Sequence, residues 1–132
     1  MFLYSLDIRQ RELFMELAIK AAECNGIVES EEINMLQSYG TEMGLQPIYE
    51  TNKSTESIVS ELKEISDEKT KRIILFELFA ILISDSCYDD KEKRFVERLG
   101  KEFSISADDR KKMLDILYEY RDVVKRITDL VL

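Results

Sequence analysis

The 132-residue chain contains no histidine and no tryptophan, and it has only one proline, two cysteines and four glycines. Without histidine, Ser-His and Cys-His nucleophile pairs, imidazole acid-base relays and histidine-based zinc hydrolases are excluded. Two cysteines alone do not make a structural zinc site. Catalysis would therefore depend on carboxylates, lysine, tyrosine or serine, and we expect a protein that is not an enzyme.

Acidic residues outnumber basic ones, with 27 Asp and Glu and 19 Lys and Arg, which gives a net charge of −8. This charge repels phosphate backbones, so we expect no nucleic-acid partner. The first six residues are apolar but lack the basic segment and cleavage site of a signal peptide. We expect a cytoplasmic protein, where Cys24 and Cys87 stay reduced, although the sequence does not exclude a disulfide between them.

Long hydrophobic runs are absent except at residues 73–83, where Glu77 is the one polar residue among eleven. A bilayer needs about twenty apolar residues, so we expect no membrane insertion. An eleven-residue strand is the competing interpretation, but the N-cap pattern Ser66-Asp67-Glu68 upstream favours a helix at the centre of the fold. Glu77 recurs at seven-residue spacing with Thr70 and Ser84, so we expect it to reach solvent along this polar seam rather than form a functional buried carboxylate.

Apolar spacing and capping residues predict six helices in total. Their expected spans are about 7–24, 30–44, 54–65, 67–86, 89–104 and from 106 towards the C-terminus. Apolar residues in the last helix alternate spacings of four and three, as in a short coiled coil: Met113, Leu117, Tyr120, Val124, Ile127 and Val131. Because this pattern spans fewer than three heptads, we expect the helix to pack against its own domain, with a homo-oligomer through it as the alternative.

When the sequence is aligned with itself at an offset of 60 residues, predicted helix one aligns with helix four and helix two aligns with helix five. Residue type is kept at most aligned pairs, for example Glu32 with Glu92 and Gly40 with Gly100. The sequence therefore predicts a single all-α domain, a helical bundle of two repeated helix-turn-helix halves (about 7–45 and 67–105) plus a C-terminal helix.

In each half, small or apolar residues precede Asn/Asp-Gly/Ser-x-x-acid-x-x-Glu and a further apolar helix. Over about residues 13–105 this pattern resembles the tellurite-resistance TerB-like family, although the chain has Asn25 where the family has Asp and Ser86 where it has Gly. The resemblance implies an all-helical fold with its acidic turns on one face, a divalent cation such as calcium as ligand, and a role in stress resistance.

Negative charge is concentrated in the two turns between paired helices. Residues 23–32 hold four acids and no base (−4), and residues 85–92 hold four acids and one base (−3), so together they account for −7 of the −8. A hard cation with oxygen ligands would relieve their repulsion. The candidate metal ligands are Asp85, Asp89, Asp90 and Glu92, with Glu29 and Glu32 from the other half. They do not follow EF-hand spacing, and helix capping with solubility is the competing explanation.

Two further functions remain open. The same acids could present an acidic face to a basic protein partner without metal, with an exposed groove for an apolar anchor. Candidate aromatic anchors are Tyr39, Tyr49, Tyr88, Tyr118 and Tyr120, of which Tyr88 lies inside an acidic turn. Carboxylate pairs can also hydrolyse glycosidic bonds or, with two metals, phosphoesters, but acids placed only at helix starts rarely form the deep cleft this requires.

Overall fold

A computed structural model of the chain describes residues 1–24, 30–46, 48, 51–84 and 88–132. Within these residues the fold is entirely helical and forms a helical bundle, which confirms the predicted fold class. The helices are α1 (Ile8–Ala22), α2 (Ser30–Met43), α3 (Thr55–Ile65), α4 (Glu68–Leu82), α5 (Asp90–Glu102) and α6 (Ala107–Val131). A 3₁₀ turn, Leu3–Ser5, precedes them.

Side-chain caps set most of the helix starts. The side chains of Asp7, Ser54, Asp67, Asp89 and Ser106 each accept a hydrogen bond from the backbone N–H three residues later. Each cap satisfies one of the N–H groups that a helix start leaves without an intrahelical acceptor. The predicted caps Ser54, Asp89 and Ser106 are therefore confirmed, whereas α4 is capped by Asp67 and not by the preceding Ser66.

The two halves match at the predicted offset of 60 residues. Helices α1 and α4 both have 15 residues, and their first residues, Ile8 and Glu68, are 60 apart. At the ends of α2 and α5, Gly44 (φ 70°) and Ser104 (φ 55°) adopt left-handed backbone conformations. The following N–H groups bond back to the carbonyls of residues 40 and 100, at 2.8 and 2.9 Å. The same helix-ending turn therefore closes both halves.

Helices α1 and α4 share the centre of the core, whereas the sequence pattern singled out α4 alone. Helices α1 and α4 contact each other, and each of them also contacts α2 and α5. Helix α3 packs on α1, and helix α6 packs on α4. Phe14 and Leu78, one from each helix, have no exposed surface. Alanines 18, 21 and 22 are fully buried, and side chains this small allow neighbouring helices to approach, which explains how a helix of modest hydropathy buries most of its residues.

The prediction that Glu77 reaches solvent is wrong, because its side chain is buried. Its Oε1 accepts a hydrogen bond from the Phe2 N–H at 2.9 Å and lies 3.0 Å from the amino group of Met1. Its backbone carbonyl accepts a hydrogen bond from the Tyr39 hydroxyl at 2.8 Å. The N-terminal segment covers the side of α4 that was expected to be open, and periodicity within α4 could not show this.

The expectation that α6 packs against its own domain holds for the first part of the helix, but not for the rest of it. Leu117 is the one buried residue of this helix, and Met113 and Leu114 pack partly against the core. From residue 118 onward every side chain is exposed. Arg121 marks the limit of contact, since its Nη1 donates to the Ile83 carbonyl at 2.6 Å. None of the described helices is long and apolar enough to cross a membrane.

Candidate functional site

Two buried glutamates occupy equivalent positions in the two halves. Glu32 is the third residue of α2 and Glu92 is the third residue of α5, and their exposed fractions are 0% and 1%. Glutamate is rarely buried to this extent, because ionised carboxylates lose favourable hydration inside a protein. The repeat therefore places a costly group at the same point of each helix start.

Asp89 and Glu92 are held in place by a reciprocal capping box. Asp89 Oδ1 accepts from the Glu92 N–H at 2.9 Å, and Glu92 Oε1 accepts from the Asp89 N–H at 3.1 Å. These bonds fix both carboxylates at the start of α5, where the helix dipole favours negative charge. The predicted capping role of this pair is confirmed, and Asp90, the next residue, is exposed.

Cys24 shows that the carboxylates of the two halves come together. This residue follows α1, is partly buried, and carries a free thiol. Burial, followed by the negative charges of Glu92, Asp89 and Glu32, raises the pKa of the thiol from 9.0 to about 11. Coulomb energy falls with distance, so a thiol that responds to all three carboxylates lies near each of them. The starts of α2 and α5 and the end of α1 thus meet at one pole of the bundle.

The six predicted ligands divide into three groups. Glu32, Asp89 and Glu92 lie near Cys24, Asp90 is exposed at the helix start, and Glu29 and Asp85 fall outside the described residues. Among the residues that the structure describes, no group of three or more acidic or cysteine side chains is already arranged to hold a metal ion.

The chemistry of this donor set matches a hard divalent cation better than a transition metal. Carboxylate oxygens are the usual ligands of Ca²⁺ and Mg²⁺, whereas the thiol of Cys24 is kept protonated and is therefore a poor ligand at neutral pH. Calcium takes six to eight oxygens, so Glu32, Asp89 and Glu92 alone would not complete its coordination sphere. The sequence analysis placed Cys24 within the first acidic segment, residues 23–32, but assigned its thiol no role there.

A cleft of about 460 Å³ opens beside this pole, between α3 and α5. Cys24 lies on its wall together with the apolar side chains of Val59, Phe95 and Leu99. Its rim is basic on balance, with four cationic side chains against two acidic ones: Lys63, Lys91, Arg94, Arg98, Glu56 and Glu102. One of these cations is already paired, because Lys63 lies 3.0 Å from Glu102. The negative charge of the pole therefore does not extend across the neighbouring surface of α5.

The tyrosine candidates occupy different environments. Tyr39 is buried, Tyr88 is half-buried, and Tyr118 and Tyr120 are exposed; Tyr49 lies outside the described residues. The Lys93 ammonium lies 5.6 Å from the centre of the Tyr88 ring. Burial, the neighbouring Tyr118 and the charge of Glu92 raise the pKa of Tyr88. Tyr88 is therefore a packing residue between the acidic pole and α6, and Tyr120 is the more accessible aromatic side chain.

A second cavity, of about 550 Å³, lies between α6 and the bundle, and we call it the α6 groove. Met35, Phe76 and Ala80 line its bundle side, and Tyr120 and Val124 line its α6 side. Its walls are mostly apolar. The sequence suggested an exposed groove but could not locate it, because this groove exists only where α6 leaves the core.

Comparisons of the chain with protein-family models, with curated proteins and with solved structures found no match.

Proposed function

We propose that this protein is a non-enzymatic, TerB-like cytoplasmic protein that binds a divalent cation such as calcium where its two acidic turns meet. The observation that supports this proposal most strongly is the placement of Glu32 and Glu92. They are buried at equivalent positions of the two halves, and both raise the pKa of the same thiol, Cys24. A role in stress resistance follows from the sequence resemblance.

Electrostatics explains why a cation would bind there. Two carboxylates held in a partly dehydrated region repel each other, and the repulsion is stronger than in bulk water. A cation would offset both this repulsion and the lost hydration. Glu32, Asp89 and Glu92 would contribute oxygens from both halves, and Asp85, Asp90 and Glu29 remain candidate ligands from the sequence.

Calcium titration by calorimetry and by thermal unfolding tests the proposal. At 100 times the dissociation constant, a ligand specific for the folded state stabilises it by about 2.7 kcal/mol. We expect Glu32→Gln and Glu92→Gln each to weaken calcium binding at least tenfold, because each substitution removes one charged ligand while keeping the size of the side chain. Parallel titrations with magnesium would show which of the two ions is preferred.

Glu31→Gln is the matched control. Glu31 is the neighbour of Glu32 and carries the same charge, but its side chain is exposed. We expect its substitution to change calcium affinity less than twofold. Absence of binding heat and of a thermal shift in the unmodified protein would refute the proposal. An equal loss in Glu31→Gln and Glu32→Gln would show that calcium responds only to net charge.

A metal-independent interaction module is the second candidate function. The α6 groove and the exposed side chains beyond it favour this function, because an apolar groove between helices accepts an apolar anchor from a partner. In this version the acidic pole would steer a basic partner. Calorimetry with a lysine-rich model peptide, in EDTA and at low and high salt, tests the electrostatic part. Binding that persists in EDTA and weakens with salt would support it, and absence of binding at low salt would contradict it.

A further inference from the structure

The C-terminal half of α6 carries an apolar stripe that its own domain leaves uncovered. The stripe starts on the core with Met113 and Leu117 and continues outward at spacings of three and four. Its outer members are all at least 42% exposed: Ile116, Tyr120, Val123, Val124, Ile127, Leu130 and Val131. An amphipathic helix with a stripe of this width usually buries it against another element. The same line of residues is thus covered at one end and uncovered at the other.

The uncovered stripe is continuous with the α6 groove. Ile116, Tyr120 and Val124 belong to the stripe and also line the groove, opposite Phe76 and Ala80 of the bundle. One molecule therefore presents an apolar ridge and, next to it, an apolar groove. Such a pair is self-complementary under a two-fold axis, since the ridge of each copy fills the groove of the other.

The charges of α6 favour a second copy over an anionic surface. The helix carries six basic residues and six acidic ones, so it is neutral, while the other residues of the chain carry the whole net charge of −8. Several of these charges already pair at i, i+4, for example Lys111 with Asp115 at 2.8 Å. A neutral helix is not attracted to anionic lipids, and the rest of the chain would be repelled by them. Two copies meeting through α6 bring together the surfaces with the least mutual repulsion.

The available area is sufficient for a stable dimer. Seven exposed apolar side chains, at about 100 Å² each, with the groove walls, offer on the order of 800 Å² per copy. This is the area that each partner contributes to an interface of standard size.

We propose that the protein forms a two-fold homodimer in which the outer half of α6 from each copy lies antiparallel to its mate and fills the partner's α6 groove. This inference rests on the interaction-module function and names its partner as a second copy of the chain. It does not require a bound cation, because the interface lies outside the acidic turns.

Sedimentation equilibrium of the full chain, in EDTA and from low to high micromolar concentration, tests the dimer. We expect a mass of twice 15.5 kDa. Val124→Asp should raise the dimer dissociation constant at least tenfold, because it places a charge at the centre of the stripe. Lys125→Asp is the matched control, since it changes the charge more but lies on the opposite face of the helix. Circular dichroism would verify that both variants keep their helical content.

A cross-link tests the groove directly. With Cys24 and Cys87 replaced by serine, Ile127→Cys on one chain and Ala80→Cys on another should form an intermolecular disulfide, whereas Lys125→Cys with Ala80→Cys should not. A monomer at every concentration, or equal effects of the Val124 and Lys125 substitutions, would overturn the proposal. Binding of a monomer to vesicles that contain anionic lipid would assign the stripe to a membrane surface instead. These outcomes are independent of calcium titration, so failure of the dimer and failure of the cation site are distinguishable.

Discussion

The thiol of Cys24 offers a quantitative test of how the two halves meet. With Cys87 replaced by serine, so that one thiol remains, we expect the pKa of Cys24 to be about 11 rather than 9.0. Partial burial is the largest cause, followed by Glu92, Asp89 and Glu32. Because thiolate is the reactive form, a pKa higher by two units lowers its fraction at pH 8 about 100-fold.

Alkylation by iodoacetamide, followed by mass spectrometry from pH 7 to 11.5, measures this pKa. The rate should rise about tenfold per pH unit up to pH about 10 and reach a plateau only above pH 11. Removing a nearby negative charge stabilises the thiolate, so Glu92→Gln and Glu32→Gln should each lower the pKa, with the larger change for Glu92. Glu31→Gln should leave it unchanged. Circular dichroism at each pH would show that the protein stays folded.

The result for Glu92 is the critical one. Glu92 and Asp89 belong to the second half, whereas Cys24 and Glu32 belong to the first. If Glu92→Gln left the pKa unchanged, the end of α1 would not lie beside the start of α5, and the shared acidic pole would be refuted. A pKa near 9 in the unmodified protein would refute the whole electrostatic description. Saturating calcium should lower the pKa, since a cation at this pole stabilises the thiolate.

Two comparisons of stability test the fold. Ser104→Gly should stabilise the protein by about 0.5–1 kcal/mol and Gly44→Ala should destabilise it by about 1 kcal/mol, because both positions have positive φ. Urea unfolding measures both changes. A loss of stability in Ser104→Gly together with a gain in Gly44→Ala would contradict the shared helix-ending turn. Leu78→Ala should cost about 2–5 kcal/mol in the same assay, because this side chain is fully buried in the core, and a loss below 1 kcal/mol would contradict the central position of α4.

The local signals in the sequence were sufficient for the helices. Ser54 and Ser106 were predicted as caps and are caps, because capping depends on a side chain and on backbone within three residues of it, and the cap of α4 lies one residue after the predicted Ser66. The repeat was readable for the same reason, since each half contains its own caps and helix-ending turns. The end of α4 was placed too late, at residue 86, although the helix ends at Leu82.

Long-range contacts could not be predicted in the same way. Glu77 was assigned to solvent because periodicity describes one helix, whereas its burial comes from contact with Phe2, 75 residues away. The α6 stripe was assigned to its own core because its spacing does not show which molecule covers it. At the candidate site, the sequence correctly suggested that acids of both halves meet, but the burial of Glu32 and Glu92 and the position of Cys24 follow from packing between α1, α2 and α5.

A double-mutant cycle of calcium affinity tests the central proposal most directly. Calorimetry would compare the unmodified protein with Glu32→Gln, Glu92→Gln and the variant that combines both substitutions. If both halves hold one cation, the losses are not additive, and the coupling free energy should be at least about 0.5 kcal/mol. Additive losses would mean that the two glutamates act at separate places, and unchanged affinity in all three variants would contradict a cation site between the two halves.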